Sequence, residues 1–156
     1  MATPGDIKLA LERNAKVVAA RPSVRVGRHL VPDPLVLEAV AERLREVSDG
    51  SGTTLLAAVG SSRESARQEV ERAAALLAAR LGRDVEVLAL DGDLRAALAA
   101  FPAPVAVASY LLAEGDFLDK LRDAAHGVAV VAEPIRNHPA LVRLVLARYD
   151  DAVTGA

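Results

Sequence analysis

The stretch Thr54-Leu55-Leu56-Ala57-Ala58-Val59-Gly60-Ser61-Ser62-Arg63-Glu64 decides the fold. A short apolar run ends in a small-residue turn, and a helical pattern follows directly over Glu64 to Leu81, with Val70, Leu77 and Leu81 on one face and Arg67, Glu71 and Arg72 largely outside. The unit repeats downstream. Apolar runs Val85 to Leu90, Val105 to Tyr110 and Val128 to Ala132 alternate with helical patterns Leu94 to Ala99, Phe117 to Ala125 and Pro139 to Ala152. Buried-looking runs separated by helices predict a four-stranded parallel sheet in a three-layer α/β/α arrangement, covered on both faces. Right-handed crossovers then gather every strand-to-helix loop at one edge, where ligands bind in such sheets.

Upstream, Asp49-Gly50-Ser51-Gly52 is a polar joint that divides the chain into residues 1–50 and 51–156. The first part predicts a helix over Ile7 to Ala19, a strand over Val24 to Val26 and a helix over Pro34 to Val47. Asp33-Pro34-Leu35-Val36-Leu37 aligns with His138-Pro139-Ala140-Leu141-Val142 at an offset of 105 residues (33 to 138), so an internal repeat is expected, one copy complete and one partial. In both copies proline falls where a first-turn residue needs no amide hydrogen. One strand and two helices cannot close a core alone, so this helix–strand–helix should rest on the main lobe or on a second chain, making a homodimer or a missing partner lobe an expectation.

Composition narrows the function classes. The 156 residues are 52% hydrophobic and 26% charged, with 19 basic against 21 acidic side chains and a net charge of -2, which excludes a disordered chain and gives no polybasic nucleic-acid module. With no cysteine, disulfides, zinc–thiolate sites and a cysteine nucleophile are excluded. The polar start Met1-Ala2-Thr3-Pro4-Gly5-Asp6 lacks the order of a signal peptide, and no apolar run is long enough to span a bilayer, so a cytoplasmic protein without membrane contact is expected.

The first loop, Val59-Gly60-Ser61-Ser62-Arg63-Glu64, offers hydroxyls and amides at a helix start that suit a carboxylate or phosphate, which makes Ser61, Ser62 and Arg63 candidate ligand contacts. A purely local alternative is a capping box, Ser61 accepting from the Glu64 amide while Glu64 reaches back. The loop has neither a Walker ending nor a G-x-S-x-G elbow. In the loop after the third strand, Glu114 and Asp116 could coordinate a hard cation or orient a basic ligand, or simply favour a helix dipole. His29, His126 and His138 are scattered without metal-ligand spacing. His126 should end a helix and His138 should cap one, while His29 joins Glu114 and Asp116 as a weak metal candidate.

Together these stretches resemble the CbiX-type sirohydrochlorin chelatases of the class II chelatase superfamily. Leu55 to Ser62 with Glu69-Val70 resembles the first strand and turn of a family repeat, and Ala108-Ser109-Tyr110 through Leu121 resembles the third-strand loop of a second repeat. Glu133-Pro134-Ile135-Arg136-Asn137-His138-Pro139 through Tyr149 resembles the closing strand–loop–helix, and residues 6–48 resemble the tail of the preceding repeat. The resemblance implies two α/β lobes facing one another across a cleft. It also implies insertion of divalent cobalt or iron, as substrate metal, into sirohydrochlorin, with no resident cofactor. Histidines in a Gly-His-Gly-Ser-Arg turn and after the third strand would hold the ion or accept a pyrrole proton.

At the first of those positions this chain carries Val59, and Ser62 stands where arginine is usual; Asp116 or Phe117 occupies the neighbourhood of the second histidine. Asp6-Ile7 resembles the residues just after the metal-binding histidine of the first lobe, yet Ala2-Thr3-Pro4-Gly5 contains none. The resemblance therefore implies a chelatase-like protein (a lyase by family) whose catalytic histidines are missing from this chain. The alternatives are a non-catalytic structural or tetrapyrrole-binding lobe and an unrelated small α/β phosphate binder.

Overall fold

The computed structural model describes residue 25 and residues 27–154. The expected helix over Ile7 to Ala19 and strand over Val24 to Val26 lie outside the described residues. The elements run α1 (Pro34–Arg45), β1 (Thr53–Ala58), α2 (Glu64–Leu81), β2 (Glu86–Ala89), α3 (Leu94–Ala99), β3 (Val105–Ser109), α4 (Asp116–Ala125), β4 (Val130–Val131) and α5 (Pro139–Thr154). All strand pairs are parallel, in the order β2-β1-β3-β4.

Strand parity divides the core into two layers. Leu56, Ala106 and Ala108 face a cluster with Val36, Val40 and Leu44 of α1, Ala73 and Leu77 of α2, and Ala140 and Leu144 at the start of α5. Leu55, Ala57, Val105 and Val107 face the opposite cluster with Leu98 of α3 and with Leu118 and Leu121 of α4. This is the expected three-layer fold, helices on both faces of a parallel sheet. Residues 30–144 form one compact unit, so α1 shares the core of the strands that follow the joint.

Three details depart from the periodicity. Only β1 and β3 are buried essentially throughout; β2, an edge strand, buries Leu88 alone. On α2 the buried positions are Ala73, Ala74 and Leu77, whereas Val70 and Leu81 are half-buried, because the small side chains mark the line of closest helix–sheet approach. β4 is two residues long, since the amides of Val128 and Ala129 both donate to Ala125 O at the end of α4 (2.9 Å each) and only from Val130 does the chain join the ladder.

In the other compact unit, Arg25 donates to the carbonyls of Ala152 (3.0 Å) and Val153 (2.8 Å) at the end of α5, and Arg28 pairs with Asp151 at 2.8 Å. A cation on unsatisfied terminal carbonyls complements the negative end of the helix.

Candidate functional site: the loop face at the carboxyl edge of the sheet

Parallel strands bring the loops after β1, β2, β3 and β4 to one edge. Backbone bonds past the strand ends tie this edge together: Leu90 N to Ala58 O, Tyr110 N to Ala57 O, Ile135 N to Leu111 O (3.0 Å) and Arg136 N to Leu112 O (2.7 Å). The order β2-β1-β3-β4 reverses direction between β1 and β3, the topological switch point at which α/β sheets bind ligands.

The first loop holds Ser61, Ser62 and Arg63 together. The N-cap of α2 is Arg63, with no side-chain cap, and Ser61 Oγ accepts from the Arg63 amide at 3.2 Å. The capping box expected from Ser61 and Glu64 is therefore absent: Glu64 pairs with Arg67 and accepts from Gln68. Starting the helix at Glu64 leaves Ser61 too early to reach the Glu64 amide. Arg63 is exposed, and its guanidinium has no ion-pair partner among the described residues.

Beside this loop a cavity of about 160 Å³ opens between α2 and β2, walled by Val59, Gly60, Ser61, Arg67, Val70 and Asp91 among others. At Gly60 a Cβ would stand 2.4 Å from Asp91 Oδ2, so a side chain there would make this exposed carboxylate swing away from the turn over which it closes. Val59, 44% exposed, presents an apolar side chain to this cavity. A larger recess, about 870 Å³, lies at the opposite, amino edge, lined by residues such as Asp49, Pro104 and Val130. It is remote from the loops of the switch point.

The third loop carries Glu114 and Asp116, both exposed. Asp116 opens α4, where its charge complements the helix start. Glu114 is held between Arg122 and Arg136, and Glu133 spans the same two guanidiniums, so a cation there would have to displace two arginines. His126 ends α4, and its carbonyl accepts from Arg95 at 3.1 Å. His138 caps α5: its Nδ1 accepts from the Ala140 amide (3.2 Å) and its Nε2 lies 3.0 Å from Glu42 Oε2. His29 is exposed and belongs to the unit that includes residues 145–156, not to that of Glu114 and Asp116. Among the described residues no three His, Asp or Glu side chains are grouped to hold a metal ion.

Sequence reading did not single out Arg67, Asp91, Arg122, Glu133 or Arg136 for this face. Asp91 carried a usable signal, since it follows a strand of a parallel sheet directly; the arginines carried none among so many others.

The described residues share the fold of solved sirohydrochlorin chelatases. The described fold matches the sirohydrochlorin chelatase SirB from Bacillus subtilis subspecies spizizenii in complex with cobalt, at a TM-score of 0.70 and 20% identity over 90% of this chain and 60% of that one. SirB from Bacillus subtilis with Fe3+ gives a TM-score of 0.70 and 21% identity over 90% of this chain and 63% of its own. The chain thus spans less than two thirds of the chelatases whose fold it shares. No protein-family profile matches it. A cation-transporting P-type ATPase B of Mycobacterium bovis, and the same protein of Mycobacterium tuberculosis, is 38% identical over 95 residues, 55% of this chain but 13% of the transporter. Among the described residues no helix is long and apolar enough to cross a membrane.

Proposed function

We propose that this chain is a sirohydrochlorin chelatase-like lobe that binds an anionic tetrapyrrole at its loop face and does not insert the metal by itself. The observation that carries the reading is the first loop. Val59, with neither a lone pair nor a titrating group, faces the cavity at the position where chelatases resembling this chain have histidine. Next to it, Arg63 offers an exposed guanidinium for charge-assisted hydrogen bonds to macrocycle carboxylates, supported by the hydroxyls of Ser61 and Ser62. Asp116 borders the same edge. Without an imidazole in that turn, the ligand exchange that delivers Co2+ or Fe2+ and the removal of pyrrole protons fall to groups outside this lobe, in a second copy of the chain or in a separate partner lobe. Independent metal insertion would require Glu114, Asp116 or His29 as ligands, and Glu114 is already engaged by two guanidiniums.

The test is a paired assay on protein of verified mass and oligomeric state. Sirohydrochlorin should bind at micromolar concentration, and Co2+ or Fe2+ should enter the macrocycle no faster than without protein. Metallation above the uncatalysed rate, or no binding of the macrocycle, overturns the proposal.

A further inference from the structure

Arg122 on α4 and Arg136 in the loop after β4 form a paired guanidinium site that two carboxylates share. Arg122 Nη1 lies 2.9 Å from Glu114 Oε2, and its Nη2 lies 2.7 Å from Glu133 Oε1. Arg136 Nη2 contacts Glu114 Oε1 and lies 3.1 Å from Glu133 Oε2. Each glutamate thus places one oxygen on each arginine, the bridging geometry with which guanidinium pairs hold a carboxylate.

The backbone holds Arg136 in place. It has φ 51, the one non-glycine residue among those described with a positive φ. A non-glycine residue in that region is strained and persists only where its surroundings enforce it. Here the amides of Ile135 and Arg136 are bonded to the carbonyls of Leu111 and Leu112, and the buried Ile135 anchors the turn.

The two glutamates are not equivalent. Glu133 lies two residues past β4, between buried Ala132, whose amide donates to Val107 O at 2.9 Å, and buried Pro134, so its backbone is fixed. Glu114 stands between exposed Ala113 and Gly115, in a segment without helix or strand; the two carboxylates are about equally open, 44% for Glu114 and 41% for Glu133, so the difference lies in the backbone that carries them. Arg122 and Arg136 retain 36% and 47% side-chain exposure, so solvent reaches the clamp.

From this asymmetry we infer that the Arg122–Arg136 pair is a carboxylate-binding site and that Glu114 is its internal occupant, displaced by a carboxylate of an incoming ligand. With Glu133 in place and Glu114 swung out, two positive charges face one negative charge, which leaves room for one carboxylate and selects against cations. The ligand class is a di- or polycarboxylate, either a free small acid or the side chain of a carboxylated macrocycle. The macrocycle source rests on the proposed function; the clamp itself does not.

The probes are citrate and metal-free uroporphyrin, titrated calorimetrically into wild type and Glu114→Gln. Because Gln keeps the shape of the loop but binds guanidinium weakly, E114Q should bind citrate about tenfold more tightly than wild type. The gain should shrink with added salt and vanish in the double variant E114Q/R136M; E114Q/R122M, altered on a helix and not in the strained turn, provides the same control should R136M unfold. Equal citrate affinity in wild type and E114Q, or a gain that survives both arginine replacements, overturns the clamp. A citrate gain without uroporphyrin binding retains the clamp and removes the tetrapyrrole reading. Uroporphyrin binding equally tight in wild type and E114Q, with no citrate gain, does the reverse.

Discussion

Glu38 Oε1 accepts from Arg143 Nη2 at 2.6 Å across 105 residues, the same offset that aligns Asp33 with His138. Its other oxygen accepts from Arg80 at 3.1 Å, so one carboxylate of α1 links α2 and the first half of α5. All three side chains are partly exposed, which limits each pair to a fraction of a kcal/mol. Glu38→Ala should cost about 1 kcal/mol and lower the melting temperature by about 2–4 °C. The loss should diminish in molar salt, as calorimetry at two ionic strengths will show.

Tyr110 should reveal itself by titration and by removal. Its Oη is buried with no hydrogen-bond partner, and burial, with the carboxylates of Glu69 and Asp33 nearby, raises its pKa from 10.0 to about 12. Below pH 10 both the folded and unfolded chains keep the proton. Between pH 10 and 12 the unfolded chain releases it while the folded chain retains it, so stability falls as pH rises through this window. Denaturant melts of Tyr110→Phe should lack that slope, and at neutral pH the variant should be as stable as wild type or about 1 kcal/mol more stable.

Gly52 precedes β1 with φ 74, and a Cβ there would lie 2.1 Å from Pro104 O, the acceptor of the Thr53 amide. Gly52→Ala combines a left-handed backbone with a steric overlap at the start of the central strand. It should destabilise the chain by about 2–4 kcal/mol in urea unfolding, far more than an exposed replacement such as Ser51→Ala.

His138 and Asp33 perform the same local task with different atoms. Asp33 Oδ1 accepts from Leu35 N at 2.9 Å and His138 Nδ1 accepts from Ala140 N at 3.2 Å, each two residues on and each before a proline. Because Nδ1 accepts, the imidazole carries its proton on Nε2 and donates to Glu42. Nitrogen-15 shifts should report that tautomer. Asp33→Ala and His138→Ala should each cost about 1–2 kcal/mol, His138→Ala the more because Glu42 loses its donor.

For the proposed ligand, Arg63→Ala should weaken sirohydrochlorin binding about tenfold while leaving the melting temperature unchanged, since the guanidinium is exposed and makes no ion pair among the described residues. An unchanged dissociation constant in fluorescence titration would remove Arg63 from the site.

Much of the fold is readable locally. Helix Glu64–Leu81 and helix Leu94–Ala99 begin and end where residue types indicate, and β1 and β3 follow their apolar runs to within a residue. Where reading failed, tertiary context competed with pattern. Val128 and Ala129 are strand-like residues whose amides the end of α4 claims first, and Val87 is a strand residue left exposed because it borders the cavity between α2 and β2 and no helix packs over it. The candidate site divides the same way. Ser61, Ser62 and Arg63 are adjacent in sequence, so their grouping was legible, whereas Arg122 and Arg136 converge on Glu114 only because β3 and β4 are neighbours.

The sequence by itself determined the alternation of strands and helices, the loop edge at which they converge and the apolar Val59 in the first of those loops. Those properties reside in composition and short-range order, where each residue's contribution depends on its immediate neighbours. Only the tertiary structure decided which charges meet: Glu38 with Arg143, His138 with Glu42, and the two guanidiniums around Glu114. An ion pair depends on distances of a few ångströms, and strand order and helix packing set those distances between residues far apart in the chain.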